Sequence, residues 1–408
     1  MGTDADIVIA GGGLNGTALG VALASAGMQV ALVEPRATQV RKNAAFDGRS
    51  YALSLGSQRL LEALGLWDGV AQHTQPILDI KITDGNVGQP PSPIVLAFDH
   101  TEIEEGPMGH MVEDRHLRRA LLDAVAASDR ITAVTGQTIT DHAPTPAGVA
   151  VTLSDGQVLN ARLLVGCDGK TSATATRAGI KRQGWSYGQT SLVCAIAHER
   201  PHGGCAHQYF MPPGPLAILP LKDNRSSIVW TEADDVAQEI NARDDAGYLD
   251  ALRPRFGDFL GEISLAGVRF TYPLALSLAQ RFVADRVALV GDAAHAVHPI
   301  AGQGLNAGLK DVAALAETLT RARRRGEDLG RADVLARYQQ WRRFDTATLA
   351  LATDTFNKLF SNDNPILRLG RDIGLGLVNR SPLVRRSFIR AAAGLTGDVP
   401  RLNRGLPL

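Results

Sequence analysis

The sequence contains few cysteines, and their spacing fits neither a disulfide framework nor a metal site. Three of its 408 residues are cysteine, at positions Cys167, Cys194 and Cys205, and no Cys-x-x-Cys pair occurs. Disulfide-dense scaffolds and thiolate zinc sites both need more cysteines at closer intervals. We therefore expect a chain without disulfides that works in the reducing cytoplasm.

Net charge is also missing. The chain carries 42 Lys and Arg against 42 Asp and Glu, so it lacks the overall basic field that holds nucleic acid, and no nucleic-acid partner is expected. The charge is unevenly placed, because residues 321–408 carry 17 basic against 8 acidic side chains, which leaves 25 against 34 in residues 1–320. The C-terminal fifth is the basic part of the chain.

Long apolar runs are absent too. The most apolar stretch, residues 17–33, is interrupted by Ser25, Gly27 and Gln29 and falls short of the ~20 residues that span a bilayer. The acidic start of the chain resembles neither a signal peptide nor a transit peptide. We expect no membrane-spanning segment, and the apolar content of 45% is typical of a globular chain with two or three domains.

The clearest local pattern lies at the N-terminus. A short apolar run, Asp6–Ala10, predicts a strand, and it ends in the glycine-rich segment Gly11–Gly16. Residues Thr17–Ala26 then predict a helix that Gly27 ends, and Gln29–Val33 predicts a second strand. Strand, glycine turn, helix and strand together form the β-α-β unit that binds dinucleotides.

Each glycine of this Gly-x-Gly-x-x-Gly segment has a physical task. Gly11 permits a tight turn, Gly13 lets the backbone approach a diphosphate, and Gly16 lets the helix pack closely on the strand. Glu34 follows the second strand at the place of the acid that binds a ribose 2′-hydroxyl and repels a 2′-phosphate. FAD or NAD therefore fits, NADP does not, and a glycine turn without ligand is the alternative.

Two further strands end in an acidic turn. Residues 163–169 end in Cys167, Asp168 and Gly169, and residues 287–295 contain Gly291 and Asp292. Carboxylates at the carboxyl ends of strands lie in the crevice where open α/β sheets bind ligands, although plain Asp-Gly turns remain the alternative. We interpret Cys167 as a buried, inert side chain.

The rest of the chain is assigned more coarsely. We predict strands and loops over residues 76–108, and a helix over Val112–Ala127. Strands follow from Ile131 to Val165, with a hairpin turn at Ser154–Gly156. Between residues 181 and 280 we predict strands such as Leu192–Ala197 and Leu216–Leu221 with one helix near Ala246–Phe256, and from about residue 308 onward we predict helices. The spacing of His198, Glu199, His202, Cys205 and His207 fits no zinc motif, so no metal is predicted.

One run carries a family resemblance. Residues 298–311 read His-Pro-Ile-Ala-Gly-Gln-Gly-Leu-Asn-Ala-Gly-Leu-Lys-Asp, which resembles the signature of the FAD-dependent aromatic hydroxylases of ubiquinone biosynthesis, the UbiH-type group (UbiH, UbiF and VisC). The resemblance extends over essentially the whole chain, with similar segments at Asp47–Ser54, Leu64–Trp67, Asp114–Leu117, Pro212–Leu221 and residues 356–400.

This resemblance implies a fold. It implies an α/β protein with class A flavin monooxygenase architecture, in which a Rossmann-like FAD-binding domain holds an inserted, mixed β-sheet substrate domain and is followed by a helical C-terminal region. We expect residues 1–75, 109–180 and 281–320 in the FAD-binding domain, residues 76–108 and 181–280 in the substrate domain, and residues 321–408 in the helical region.

The resemblance also implies roles for residues. Asp292 would take a ribityl hydroxyl, Asp168 would close on the nucleotide side, and the loop of residues 302–306 would lie against the isoalloxazine ring. Flavin positioning, with no assigned base, falls to Arg49, Pro299, Gly302, Gln303 and Gly304. The cofactor-binding residues would be Gly11, Gly13, Leu14, Asn15, Gly16, Glu34, Arg36, Arg49, Arg115, Asp168, Asp292, Gly302, Gly304, Leu305 and Asn306.

The activity implied is hydroxylation of the aromatic ring of a polyprenylated phenol. NAD(P)H would act as a transient co-substrate and O₂ as oxidant, through a C4a-hydroperoxyflavin. A hydroxylase of a small soluble aromatic and a FAD-binding scaffold without turnover are the alternatives.

Partners are implied as well. We expect a protein complex of ubiquinone biosynthesis and a peripheral contact with the inner face of the membrane through residues 356–394. Arg385, Arg386 and Arg390 alternate there with apolar residues, as in a basic amphipathic helix. The alternative is that the apolar positions pack on the FAD-binding domain.

Overall fold

A computed structural model describes residues 3–85, 87–88, 95–296, 303–360 and 381–408, with only the backbone of residues 95, 347, 349–360 and 382–384. Its strands are β1 (Ala5–Ala10), β2 (Val30–Glu34), β3 (Ser50–Ser54), β4 (Thr74–Ile77), β5 (Asp79–Asp84), β6 (Val95–Asp99), β7 (Gly109–Glu113), β8 (Ile131–Thr135), β9 (Ile139–Thr145), β10 (Gly148–Leu153), β11 (Val158–Gly166), β12 (Arg182–His198), β13 (Cys205–Phe210), β14 (Leu216–Leu221), β15 (Arg225–Ala233), β16 (Ile263–Leu265), β17 (Phe270–Ala279), β18 (Val283–Ala284), β19 (Val287–Leu289) and β20 (His295–Ala296).

The helices follow the same chain order. They are α1 (Leu14–Ser25), α2 (Thr38–Arg41), α3 (Leu55–Ala63), α4 (Asp68–Ala71), α5 (Asp114–Ala127), α6 (Ala173–Arg177), α7 (Asp234–Ala242), α8 (Asp245–Phe256), α9 (Gln303–Arg324), α10 (Ala332–Phe360) and α11 (Pro382–Ala392). Short 3-10 turns lie at His100–Glu102, Gly291–Ala293 and Leu402–Arg404.

The first sheet has eight strands and a parallel centre. Its strands run in the order β18-β19-β11-β1-β2-β8, and β10 and β9 extend it from β11 as an antiparallel hairpin. β1 pairs in parallel with both β2 and β11, which lie far apart along the chain. The strand order therefore reverses between β1 and β11, and a crevice that binds ligands opens at the carboxyl edge of such a reversal.

Helix α1 starts earlier than the sequence indicated. Its first residue is Leu14 rather than Thr17, because the backbone becomes helical directly after Gly13. A Cβ on Gly16 would overlap the carbonyl oxygen of Gly11, so only glycine lets the helix begin this close to β1. The glycine-rich segment is thus partly the first turn of the helix.

The second sheet has nine strands in the order β20-β17-β12-β15-β14-β13-β5-β6, with β16 paired to β12. One face packs against helices α7 and α8 through side chains such as Trp230, Tyr248 and Phe256. Helix α8 and strand β14 were predicted, but the expectation of a single helix between residues 181 and 280 was wrong. Helix α7 is only nine residues long, and Ala237 and Ile240 are its buried residues.

The opposite face of the nine-stranded sheet packs against the third sheet. The third sheet has three antiparallel strands in the order β3-β7-β4. Met111 of β7 lies in one apolar cluster with Ala195 of β12 and Phe210 of β13. The three-stranded sheet therefore stands between the nine-stranded sheet and helix α3, which continues directly from β3.

Helices α9 and α10 are joined by a buried charge network. Asp311 of α9 is fully buried, and its carboxylate accepts hydrogen bonds from Nε2 of His295 at 2.6 Å, from the backbone N–H of Gly291 at 2.9 Å and from Nε of Arg342 at 2.7 Å. Burial alone would raise the pKa of Asp311, but His295 and Arg342 outweigh burial and hold it below its ordinary value. Asp311 therefore stays ionised.

Asp311→Asn is expected to lower the free energy of unfolding by about 3 kcal/mol at pH 7, because Arg342 loses a buried ionic partner. The native pKa of Asp311 lies below the unfolded value near 3.9, so its contribution is present at neutral pH and is lost as pH falls below about 4. Denaturant unfolding of the FAD-free protein between pH 3 and pH 7 measures this difference.

Asp123→Asn is the matched control, because Asp123 forms an exposed ion pair with Lys42. This variant should differ from the wild type by less than about 1 kcal/mol. An Asp311→Asn protein as stable as the control at pH 7 would contradict the role of the network.

Candidate functional site

The glycine-rich segment has one open side. Gly11 adopts a φ of 96°, and a Cβ there would lie 2.6 Å from the carbonyl oxygen of Cys167 at the end of β11. A Cβ on Gly13, in contrast, would meet no atom within 4 Å. Gly11 and Gly16 therefore have no room for a side chain, because other backbone atoms lie against them. Gly13 has free space beside it, and this is where the sequence predicts that a diphosphate approaches.

Glu34 lies at the carboxyl end of β2 and is 4% exposed. One carboxylate oxygen accepts the backbone N–H of Gly12 at 2.8 Å, and the other accepts Nε of Arg36 at 3.1 Å. Burial alone would raise the pKa of Glu34, but these hydrogen bonds and the nearby guanidinium of Arg41 hold it below its ordinary value. An ionised acid therefore stands at the predicted ribose position.

Arg41 is a buried cation of this site that the sequence analysis missed. It is 6% exposed, donates to the carbonyl oxygen of Gly12, and lies 3.4 Å from the hydroxyl of Thr17. Within the described part of the chain its Nε has no hydrogen-bond partner. A single arginine after the second strand has no period or motif, so no sequence signal marked it.

Asp168 shapes the turn that follows β11. Its carboxylate accepts the hydroxyl of Ser172 at 2.5 Å and the backbone N–H of Thr174 at 2.9 Å, so it holds the start of helix α6. The neighbouring Cys167 lies against Gly16, and burial raises the pKa of its thiol well above the ordinary value. The thiol therefore stays protonated at neutral pH, as expected of an inert side chain.

Asn15 joins the glycine-rich segment to the Asp292 turn. A Cβ on Gly291 or on Gly308 would overlap the amide nitrogen of Asn15, so this side chain fills the space that the two glycines leave. Its Oδ1 is buried and, within the described residues, has no hydrogen-bond partner. Asn15 thus brings the first β-α-β unit, the turn after β19 and helix α9 together.

Arg182 of β12 stabilises the Asp292 turn through hydrogen bonds to its backbone. This guanidinium donates to the carbonyl oxygens of Asp292, at 3.0 Å, and of Ala293, and to the hydroxyl of Ser277 at 2.8 Å. Asp292 is an exposed residue, but partial burial of its carboxyl group raises its pKa above the ordinary value, against the opposing effect of His295 and Arg182. Sequence analysis found Asp292 but not Arg182, which lies 110 residues earlier.

The predicted flavin loop is described only in part. Pro299 and Gly302 lie outside the described residues, whereas Gln303, Gly304 and Leu305 form the first turn of α9. The side chain of Asn306 accepts the backbone N–H of Ser54 at 2.9 Å and the hydroxyl of Ser57 at 2.7 Å. These bonds fix the start of α9 against the junction of β3 and α3.

Arg49, directly before β3, lies in a cluster of charges. It binds the carboxylate of Asp47 at 2.6 Å and lies 3.7 Å from Asp114, which Arg118 also binds. The hydrogen bond to Asp47 raises the pKa of Arg49, and burial, with Asp114 beside it, raises the pKa of Tyr51. The guanidinium lies 5.7 Å from the ring centre of Phe270, on the nine-stranded sheet.

Two predicted cofactor residues contact other parts of the structure. Arg115 binds Glu113 at 2.7 Å and the carbonyl oxygen of Ala44 at 2.9 Å, and in the described residues none of its hydrogen bonds reaches the glycine-rich segment. The side chain of Arg36 is 57% exposed and its bond goes to Glu34. Their roles in cofactor binding stay predictions.

Two histidines near the turn before β13 have hydrogen-bond partners within the protein. Both ring nitrogens of His198 are engaged, with the carbonyl oxygen of Arg200 at 2.8 Å and the hydroxyl of Ser226 at 3.0 Å. Nε2 of His202 lies 2.7 Å from the carbonyl oxygen of Leu221. These contacts hold the turn before β13.

The residues at the carboxyl edge fit a dinucleotide cofactor such as FAD. The opening at Gly13 faces the N-terminus of α1, where backbone N–H groups favour phosphate. Two buried polar atoms, Nε of Arg41 and Oδ1 of Asn15, lie at the same edge without partners among the described residues. Buried polar atoms usually have partners, so both are suited to a ligand.

Comparison with known proteins agrees with this geometry. A family model described as an FAD binding domain matches residues 4–350. The chain is 44% identical to the ubiquinone hydroxylase UbiL of Rhodospirillum rubrum over 407 residues, which cover 99% of this chain and 94% of that protein. It is 34% identical to the 3-demethoxyubiquinol 3-hydroxylase of Escherichia coli K12, with 96% and 98% covered.

Solved structures support the fold. The p-nitrophenol 4-monooxygenase PnpA of Pseudomonas putida DLL-E4 superposes with a TM-score of 0.80 at 19% identity, covering 98% of this chain and all of that one. The predicted class A flavin monooxygenase architecture is confirmed, and FAD is the cofactor.

Gly13→Ala is expected to weaken FAD binding by at least about tenfold, because the new methyl group occupies the opening at which the diphosphate approaches. In the FAD-free state the same methyl group meets no atom, so the free energy of unfolding should change by less than about 1 kcal/mol. FAD titration of the stripped protein, together with denaturant unfolding, separates the two effects.

Gly20→Ala in the same helix is the control. Its Cβ would make an ordinary contact at 3.7 Å with Ile9, so both FAD affinity and folding should match or slightly exceed the wild type. If Gly13→Ala bound FAD as tightly as Gly20→Ala, the opening would not be the diphosphate site.

Proposed function

This chain belongs to the FAD-binding family that includes the ubiquinone hydroxylases, and from that premise we propose that it hydroxylates the aromatic ring of a polyprenylated phenol in ubiquinone biosynthesis. NAD(P)H and O₂ are its co-substrates. The observation that carries the proposal is the crevice at the carboxyl edge, where the open Gly13, the ionised Glu34 and the exposed Asp292 converge.

We assign the residues that hold FAD from their positions at this edge. The N-terminus of α1 and Gly13 receive the diphosphate, Glu34 a ribose hydroxyl, and Asp292 a hydroxyl of the ribityl chain. Arg41 adds a buried positive charge beside the same segment and balances part of the diphosphate charge. Bound FAD would supply the redox chemistry, taking hydride from NAD(P)H and activating O₂, so that one oxygen atom would enter the ring and the other would leave as water.

The chain's own residues position the reactants rather than react. Asn306 fixes the start of α9, so that the backbone N–H groups of its first turn present positive charge beside the flavin. Arg49 stays protonated beside Asp47 and Asp114. No side chain is assigned as a general base, because oxygen transfer to a phenol needs position and exclusion of water above all.

Two alternative functions are a FAD-binding scaffold without turnover and a hydroxylase of a small soluble aromatic. A FAD-binding scaffold would share the FAD contacts of Gly13 and Arg41 but would neither oxidise NAD(P)H nor form a hydroxylated product. A hydroxylase of a small soluble aromatic would share the FAD site, so only the preferred substrate tells it apart.

The purified protein should oxidise NAD(P)H faster when a prenylated phenol is present, because reduction and oxygen transfer are coupled to the substrate. With ¹⁸O₂ the hydroxylated ring should gain one labelled oxygen by mass spectrometry. Label from H₂¹⁸O instead would contradict a monooxygenase, and labelled product only from phenols without a prenyl chain would favour the soluble substrate.

Peripheral membrane contact is the second part of the proposal, because a polyprenylated ring resides in lipid. Among the described residues no helix is long and apolar enough to cross a bilayer. Two of the arginines expected to meet lipid are paired within the chain, Arg385 with Glu102 at 2.9 Å and Arg390 with Glu105 at 2.7 Å. Arg386 and Phe388 of α11 are exposed, and so they define the surface we assign to the membrane.

The double variant Arg386→Gln with Phe388→Ser should reduce flotation with vesicles of anionic lipid severalfold at low salt, because it removes one charge and one apolar anchor. Val158→Ser is the control, since Val158 of β11 is as exposed as Phe388. A wild-type protein that does not float, or a double variant that floats like the control, would exclude this surface.

A further inference from the structure

Four side chains form a row across the nine-stranded sheet on the face away from α7 and α8. Val193 of β12 lies opposite Val229 of β15, Val229 opposite Ala217 of β14, and Ala217 opposite Gln208 of β13. Directly paired residues point to the same face, so these side chains form one continuous row, which we call the open row. At the β12 end it meets Phe270 of β17, the ring beside Arg49.

The open row differs from the row next to it. The neighbouring side chains on the same face, such as Ala195, Ala206 and Phe210, are buried under the three-stranded sheet and its flanking residues. All four members of the open row, in contrast, are only half-buried. The described part of the chain therefore leaves the open row uncovered at the place where the three-stranded sheet ends and Arg49 stands.

Gln208 is the only polar side chain in the open row. Buried Ala206 and Phe210 flank it along β13, and Ala217 and Ile82 flank it across the sheet. No described residue offers its amide a hydrogen-bond partner. A half-buried amide among apolar neighbours is costly without a partner, and it can both donate and accept.

We propose that Gln208 binds an oxygen on the ring of the phenolic substrate, an assignment that rests on the function proposed above. A ring laid on Ala217 and Val229 contacts small apolar side chains, and a substituent oxygen then lies within reach of the amide on the neighbouring strand, about 5 Å away. The amide fixes which edge of the ring faces the flavin. Gln208 is thus a residue that sets ring orientation and specificity.

The test compares two ligands that differ only in the ring oxygen. 2-Prenylphenol and prenylbenzene are titrated into the FAD-loaded enzyme, and the change in flavin absorbance gives each dissociation constant. The wild type should bind the phenol about tenfold more tightly, as expected of one hydrogen bond to an otherwise unpaired amide that the bound ring covers. In Gln208→Leu this preference should fall to within about twofold, since the apolar side chain cannot form a hydrogen bond to the oxygen.

Two further variants keep the test decisive. Gln208→Asn keeps the amide on a side chain that is one methylene shorter, so it should lose most of the preference for the phenol while the position stays polar. If the leucine variant does not fold, the asparagine variant tests the role of Gln208 instead. Gln183→Leu, at an exposed position on β12, should keep the wild-type preference. All variants should retain the full FAD content, because Gln208 lies away from the carboxyl edge of the parallel sheet.

The outcomes separate this inference from the proposed function. A leucine variant that keeps the tenfold preference, or a wild type without any preference, overturns the role of Gln208 even if labelled product forms. A wild type that shows the preference but yields no labelled product from ¹⁸O₂ leaves the contact standing and overturns the hydroxylase function instead.

Discussion

The contact of Asn15 with two glycines is the constraint on which the site depends. The amide fills a space that exists only because Gly291 and Gly308 lack a Cβ. It therefore fixes three segments from distant parts of the chain against each other: the dinucleotide turn, the Asp292 turn and helix α9. Without this close approach the strand ends would still share an edge of the sheet, but the groups assigned to FAD would not converge.

A second layer of interactions holds these segments from outside. Asp311 binds the backbone of Gly291 on one side and Arg342 of the long helix α10 on the other, in a fully buried environment. Arg182 braces the next residues of the same turn from the nine-stranded sheet. The Asp292 turn is thus held in place by the first sheet, the nine-stranded sheet and the helices α9 and α10. Such a rigid turn can keep the Asp292 carboxylate in one position.

The sequence predicted those parts of the site that depend on local rules. Gly11, Gly16 and Glu34 follow from a β-α-β pattern within 30 residues, and Asp168 and Asp292 follow from strands that end in acidic turns. The structure confirms the fold they implied, while the individual cofactor roles stay predictions. The division into domains by residue number also stays a prediction.

Other parts had no local signal. Arg41 is a lone cation after a strand, and Arg182 acts on a turn 110 residues away. Gln208 stands out only when the register of four strands shows that its neighbours are apolar. Helix α7 was not predicted from the sequence; it is nine residues long, and two of its residues are buried. Each of these features depends on tertiary pairing, which composition and period do not encode.

The central claim is that FAD occupies the carboxyl edge of the parallel sheet. Hydrogen–deuterium exchange of the FAD-free and FAD-loaded protein tests it most directly. The account predicts that FAD slows exchange at the backbone amides of residues 11–16 and 291–294, while strands β13 to β15 exchange at unchanged rates. Slowed exchange in β13 to β15 with none at residues 11–16 would contradict it.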